Sequence, residues 1–368
     1  MEPGGANAGG FETPPPDNAD RRRRQSITIS FQAREYLASR QVDAPLAGGA
    51  RNVLEGALGL THVDGLVMVA HSTLETVAAA VYQTAEALGI EVAAYLVGED
   101  DLRNDAFVNR LLEKLDEATV SILLAPEGAL PDAFLDRVRP GEGANRRHAV
   151  MTGVTEGVMR QSLRTDFGEL DERAARLTQR LASAQRLEAR AATGTELQVA
   201  FGPALRWAGG SGRLLRGGGT THLPAGVVYT SPARVEGTLV ADGGVWLPRR
   251  QAALRRRRLV FRIEDGHVVA VEGAGREEVE ETLAAAPNAR RVGRVGLGVN
   301  AGILAPIGIR AQDLAIPGLH LVLGDPWPEQ TGAAWTCALA VPLLVRRPDV
   351  TLDGVPILVR GRYARELA

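Results

Sequence analysis

Few side chains in this 368-residue sequence have types and spacing that suit chemistry. There are six histidines (His62, His71, His148, His222, His267 and His320) and one cysteine, Cys337. No pair of histidines has the His-Glu-x-x-His spacing that sets two imidazoles on one helical face around zinc. His71 and Glu75 stand four apart at a predicted helix start and read as a surface pair. Cys337 and His320 are a nucleophile and a base by type. No orienting residue flanks them, and a lone cysteine reads as packing. Lys114 is the sole lysine, so a phosphate-binding Gly-x-x-x-x-Gly-Lys-(Ser/Thr) loop is absent. Gly210-Ser-Gly212 and Gly296-Leu-Gly298 lie outside the strand–turn–helix setting of a dinucleotide fingerprint.

One stretch organises the chain. His222-Leu-Pro-Ala-Gly-Val-Val-Tyr-Thr-Ser-Pro232 reads as a loop, a short strand and a proline-bounded turn, and Val235–Gly243 as the next strand. Upstream, apolar runs alternate with helical periods. Gly65–Ala70, Ile90–Val97, Thr119–Ala125 and His148–Met151 are predicted strands. Between them, Leu74, Val77, Val81, Ala85 and Leu88 share one helical face, with Ser72 and Glu75 spaced as a capping box. Phe107, Leu111, Leu112 and Leu115 mark a second helix. The apolar residues Phe167, Leu170, Ala174, Leu177, Leu181 and Ala184 predict one long amphipathic helix over 166–190. Downstream of the glycine-rich loop 209–219 the texture turns to β. Asp265-Gly266 and Asp353-Gly354 each sit between two apolar runs and predict hairpins. A helix is expected over 276–286.

The fold class is therefore α/β: an N-terminal open parallel sheet with helices on both faces, followed by a β-rich α+β domain. The expected division is a disordered tail over 1–25, an α/β domain over 26–190 ending in the linker helix, and a β-rich domain over 195–368. A hydrophobic content of 45% suffices for packed cores, and a net charge of −2 gives no general attraction to nucleic acid or membrane. The run Arg21–Arg24 reads as a solvated surface tail, and the near-exclusive use of arginine over lysine as genomic composition. One cysteine precludes an internal disulfide, and no signal-like or membrane-spanning apolar run occurs, so a cytoplasmic location is expected.

From about residue 60 onward the sequence resembles the thermophilic metalloaminopeptidases of the aminopeptidase T and S type, often labelled leucyl aminopeptidases. The resemblance rests on Val150–Thr155, Thr193–Leu197, Leu223-Pro-Ala-Gly226 with Thr230-Ser-Pro232, Glu236–Val240, Gly266–Val269 with Glu272-Gly273, Ala289–Asn300 and Gly318–Gly324, in that order. It implies a β-rich domain of aminopeptidase T type, a homodimer and a metal site. That site would be held by two glutamates, a histidine and a His-x-Asp pair. The matching positions here are Val227, Arg294, His320 and, in the last motif, Ala340 and Pro342. Only His320 keeps a donor. Alkyl side chains offer no lone pair, and Arg294 adds a permanent cation. Iron-dependent dihydroxypyridine dioxygenases share the fold of this family and need a similar ligand set, so the same losses argue against their chemistry.

The resemblance thus describes a degenerate member, akin to peptide-binding homologues from ribosomal peptide natural-product biosynthesis of the crocagin type. The expected function is non-catalytic binding or presentation of a precursor peptide to biosynthetic partner enzymes, with no metal, no cofactor and no catalytic residue. Candidate peptide contacts are Arg294, His320, His222, Tyr229, Trp327 and Trp335. A guanidinium pairs bidentately with a carboxylate, and aromatic anchors suit peptide capture. The alternatives are a metal-dependent aminopeptidase releasing N-terminal residues and a metal-independent enzyme tailoring a peptide.

Overall fold

The computed structural model describes residues 33–140, 145–248, 254 and 258–367. The tail expected over 1–25 lies outside the described residues. A five-stranded parallel sheet runs in the order β2 (Glu91–Val97), β1 (Gly65–His71), β3 (Val120–Ala125), β4 (Arg147–Thr152) and β8 (Gly219–His222). The central strands β1 and β3 are near-continuous apolar runs because both faces are covered, whereas the edge strand β8 is polar. Leu66, Met68 and Ala70 point into the main core, shared with the helices Ala44–Arg51, Glu75–Ala87 and Phe167–Leu181. Val67 and Val69 point the other way, into a smaller core with Phe107, Leu111 and Leu115 of the helix Asp105–Glu117 and Phe134 and Val138 of the helix Asp132–Val138.

The rest of the chain builds two antiparallel sheets. Eight strands run in the order β13 (His267–Glu272), β12 (Leu259–Glu264), β10 (Arg234–Ala241), β6 (Glu196–Ala200), β5 (Arg186–Arg190), β17 (Asp349–Leu352), β18 (Val355–Val359) and β19 (Arg362–Tyr363). Six run in the order β11 (Gly244–Val245), β16 (Ala340–Val345), β15 (Gly318–Gly324), β14 (Val292–Gly298), β9 (Val227–Thr230) and β7 (Ala208–Gly210). The β12–β13 and β17–β18 hairpins turn at Asp265-Gly266 and Asp353-Gly354, where all four residues have positive φ (46° and 74°, then 48° and 82°). That is the conformation the two sequence pairs favour. The main core runs unbroken from Leu37 through Val228 and Phe261 to Leu367, so the parallel and antiparallel parts share it.

Two expectations fail locally. The long helix stops at Leu181, and 186–190 is strand β5, paired with β6 and β17. Past Ala182 the burial period drops to two, with Leu187 and Ala189 inward between outward Arg186, Glu188 and Arg190. The apolar residues continued, but their spacing no longer matched a helix. The capping box does not form either. Ser72–Leu74 is a turn of 3-10 helix, and the ring Nδ1 of His71 accepts from the amide of Thr73 at 3.3 Å. Glu75 instead pairs with Arg40 and accepts from the Tyr36 hydroxyl. The expected division near residue 195 is also crossed twice, because β5 joins the eight-stranded sheet and β8 returns to pair with β4.

That return is held by Arg147. Its guanidinium donates to the carbonyls of Leu58, Gly59 (3.3 Å) and Leu215 (3.1 Å) and to the carboxylate of Asp64. The pair is largely buried, with side-chain exposures of 10% and 14%. Removing one partner of such a pair leaves the other charge and several carbonyls unsatisfied, a cost of about 3–5 kcal/mol. Arg147→Ala is expected to lower unfolding stability by that amount in urea titrations. Arg147→Lys, which keeps the charge but not the fork, should lose an intermediate share.

Candidate functional site

The six-stranded sheet brings the positions singled out in sequence onto one face. Along β14, Arg294, Gly296 and Gly298 point the same way, since side chains alternate along a strand. Gly296 is opposite Tyr229 on β9 and His320 on β15, and Gly298 is opposite Val227. Arg294 is opposite Val322, which is opposite Pro342, and Gly324 is opposite Ala340. Residues facing each other across a ladder share a face, so Val227, Tyr229, Arg294, His320, Ala340 and Pro342 lie on one surface spanning four strands. At about 4.8 Å per strand the patch is roughly 14 Å wide.

Arg294 sits at its centre, only 5% exposed. A bulge between Val292 and Arg294 sets the register that presents it. Its guanidinium carbon lies 3.4 Å from the centroid of the Trp327 ring and 5.9 Å from that of Tyr229. The two rings meet edge to face at 5.1 Å. Trp327 reaches this position through a left-handed backbone (φ 52°), where its amide donates to Asp325 Oδ1 at 3.0 Å and a short helix, Pro328–Thr331, begins. The Tyr229 hydroxyl donates to Gln330 Oε1 of that helix. Trp327 is 41% exposed and forms the outer layer of the stack. Nε of Arg294 has no hydrogen-bond partner, and among the described residues no carboxylate pairs with the guanidinium.

The electrostatics follow from this burial. Desolvation pulls Arg294 down to about 10, partly offset by the Asp325 charge, so it stays protonated at neutral pH. Desolvation pushes Tyr229 up to about 12, against the Arg294 charge. His320 is 3% exposed; desolvation first and Arg294 second hold it down to about 3, a neutral imidazole. Its ring lies over Gly296, where an added Cβ would come 2.0 Å from Nε2. Nδ1 of His320 is also without a partner.

The metals implied by the family resemblance do not fit this face. It carries one neutral imidazole, one guanidinium and otherwise alkyl or aromatic side chains. Among the described residues no group of three or more His, Cys, Asp or Glu could hold a metal ion. At about 4 Å and an effective dielectric near 20, a divalent ion would be repelled by Arg294 by roughly 8 kcal/mol, twice the unit-charge value. The arrangement suits anion recognition instead, since a guanidinium presents its N–H donors as a fork in its own plane.

Other sequence candidates fall elsewhere. His222 is exposed on β8, the edge of the parallel sheet, opposite Val150, and the charges it interacts with are those of His148 and Arg139. Trp335 stacks under Arg291 at 4.4 Å, not under Arg294. Cys337 Sγ lies at the Gly324 end of β15, 3.2 Å from where a Cβ there would stand. Four residues of strand, roughly 13 Å, separate that point from His320, too far for a nucleophile–base pair. Sequence reading missed Asp325 and Gln330, which fix Trp327 and Tyr229. The Asp-Pro-Trp-Pro run at 325–328 was the available signal, because aspartate side chains bond amides two residues on.

Comparison with known proteins agrees with this architecture. The family model described as NicX, 2,5-dihydroxypyridine 5,6-dioxygenase, matches residues 152–303, under half of the chain. No curated protein matches. Among solved structures, the 2,5-dihydroxypyridine dioxygenase from Pseudomonas putida is similar at 18% identity and TM-score 0.61, covering 88% of this chain and 98% of that one. Wild-type AmpT from Thermus thermophilus is similar at 18% identity and TM-score 0.60, covering 87% and 99%. The chain therefore has the aminopeptidase T fold, with its N-terminal parallel sheet and C-terminal antiparallel part.

The buried neutral imidazole has a pH signature. Its folded pKa near 3 lies below the ordinary 6.5, so its contribution is complete above 6.5 and is lost as pH falls toward 3, while the unfolded chain takes up the proton. Each pH unit in that window removes about 1.4 kcal/mol. Wild type should therefore lose roughly 2 kcal/mol more stability between pH 7 and pH 5 than His320→Gln, measured by urea unfolding at both pH values.

Proposed function

We propose that this protein binds a peptide through its C-terminal carboxylate or another acidic group, using Arg294 as anchor and no metal. The observation that carries the reading is Arg294 itself: a buried guanidinium with no ion pair and a free Nε among the described residues, beneath a surface tryptophan. A buried cation without an ion pair is costly unless a ligand supplies one. Displacement of Trp327 from its surface layer opens the edge of the guanidinium, and the indole then packs against the ligand. Tyr229 and neutral His320 complete the anchor, the latter with an unpartnered ring nitrogen for a peptide amide. In this reading the homologous pathway type makes a precursor peptide the ligand, presented by a homodimer to partner enzymes.

A second reading, an enzyme acting on a small substrate, is favoured by the dioxygenase family match over residues 152–303. The residues at the face supply no ligand set for iron, and an enzyme of this kind would need other chemistry. The aminopeptidase reading needs a metal site at the same positions and meets the same obstacle.

One set of measurements separates the readings. The purified protein is expected to carry substoichiometric metal and to leave leucine p-nitroanilide intact with added cobalt or zinc. Stoichiometric metal with chelator-sensitive hydrolysis would sink the proposal. A short peptide with a free C-terminal carboxylate should bind at least about tenfold more tightly than its amide, the equivalent of one charge-assisted hydrogen bond. Tryptophan fluorescence should report the displacement of Trp327. In Arg294→Ala the preference for the free acid should vanish, and retained preference would remove Arg294 from the anchor.

A further inference from the structure

A groove of about 560 Å³, with neither Arg294 nor His320 in its lining, lies where the ends of β16 and β18 meet the loop after β14. Five arginines line it: Arg173, Arg346, Arg347, Arg360 and Arg362. No acidic side chain lines it, and among the described residues none of the five makes an ion pair. Its floor is apolar, from Ile303, Ile316, Pro317 and Val345, and Leu304 stands at its edge 90% exposed. Nothing in the Arg294 anchor accounts for it.

The backbone holds these cations where they are. Arg347 and Arg360 both adopt left-handed conformations, with φ of 49° and 48°. A Cβ on Gly361 would come 2.8 Å from the Arg347 Cα, so the two turns pack backbone to backbone. The Gly361 amide donates to the Pro348 carbonyl at 2.8 Å and closes that contact. Two carboxylates serve the same purpose. Asp242 accepts the amide of Arg346 at 2.7 Å, and Asp349 accepts that of Arg360 at 2.6 Å. From the opposite wall, Arg173 Nη1 donates to the Val299 carbonyl at 3.2 Å, and the Tyr363 hydroxyl donates to that of Gly298 at 2.8 Å. The acids thus build the turns and leave the guanidinium charge uncompensated.

We propose that this groove is a second binding site, for a small organic anion that carries phosphate or carboxylate groups on an apolar body. Guanidinium forks pair bidentately with either group. Like charges gathered in one concavity raise the local concentration of anions and are relieved by binding one. The volume is that of small-molecule sites, and the apolar floor with Leu304 accepts a hydrocarbon portion. A nucleic acid fits poorly, because no aromatic side chain offers a stacking surface: the hydroxyl of Tyr363 is bonded inward.

Isothermal titration of the full chain with inorganic pyrophosphate, citrate and hexyl phosphate tests the site. Each is expected to bind saturably with one site per chain. The double variant Arg346→Ala/Arg362→Ala should weaken all three at least tenfold. Leu304→Ser should weaken hexyl phosphate several-fold and leave pyrophosphate unchanged. Arg276→Ala, on the exposed helix Arg276–Ala284, and Arg294→Ala should bind like wild type. Should the alanine pair not fold, Arg346→Lys/Arg362→Lys takes its place, and loss of the forks alone is still expected to weaken pyrophosphate. Absence of saturable binding, equal loss in Arg276→Ala, or loss in Arg294→Ala overturns the proposal. So does a change of oligomeric state in the arginine variants without any anion binding, which would make the groove an interface between copies. Failure of the peptide reading leaves this result untouched, because that reading stands on Arg294 alone.

Discussion

A guanidinium taken almost wholly out of water is the constraint around which the site is built. Arg294 remains charged near neutral pH, yet its surroundings give it no ion pair among the described residues. What offsets part of the desolvation is the face of Trp327, a cation–π contact worth about 2 kcal/mol when desolvated. That contact in turn dictates the turn at Asp325, the left-handed Trp327 and the bond from Tyr229 to Gln330. Burial first, and the same charge second, keep His320 neutral. The charge also opposes any metal on this face.

The sheet supplies the positions and the glycines supply the room. Gly296 lies between Tyr229 and His320 in the ladder, and its missing side chain is the space that the imidazole occupies. Gly298, next on the same face, lets β14 approach the carbonyl of Ile316, which a Cβ would meet at 2.0 Å. Flanking strands can then close around β14 without a layer of side chains between backbone and ring.

The sequence carried the local parts of this arrangement and not the convergent ones. The strands β1, β2, β3 and β4 were readable because burial on both faces demands continuous apolar runs. The two Asp-Gly hairpins were readable because their turns need positive φ. Strand β5 was misread as helix because apolar residues simply continued past Leu181, while the change of period from 3.6 to 2 occupied only five residues. The five positions on the β14 face could be aligned through the family resemblance. That Trp327 would cover Arg294 could not be read, since 32 intervening residues and a left-handed turn connect them. The arginine groove was less legible still. Its cations are separated by up to 189 positions and meet only because β19, β16 and the helix Phe167–Leu181 converge.

Two cationic sites on a chain of net charge −2 differ in how their charge is managed, and the difference governs what each can do. At Arg294 the charge is single, buried and stacked, so its pairing energy is hardly screened by salt, and geometry selects the partner. In the groove the charge is multiple and mostly solvated. At physiological ionic strength the Debye length of about 8 Å is comparable to the dimensions of such a groove. Binding there must weaken as salt rises, while binding at Arg294 should respond little. The first site rewards a ligand whose acid fits one fork beneath an indole. The second rewards total charge and tolerates variation in the acid's shape. A ligand bound at both would need an acid terminus distinct from a second, more highly charged anion, so the two proposed ligands, a peptide and a small organic anion, differ by physics as well as by place.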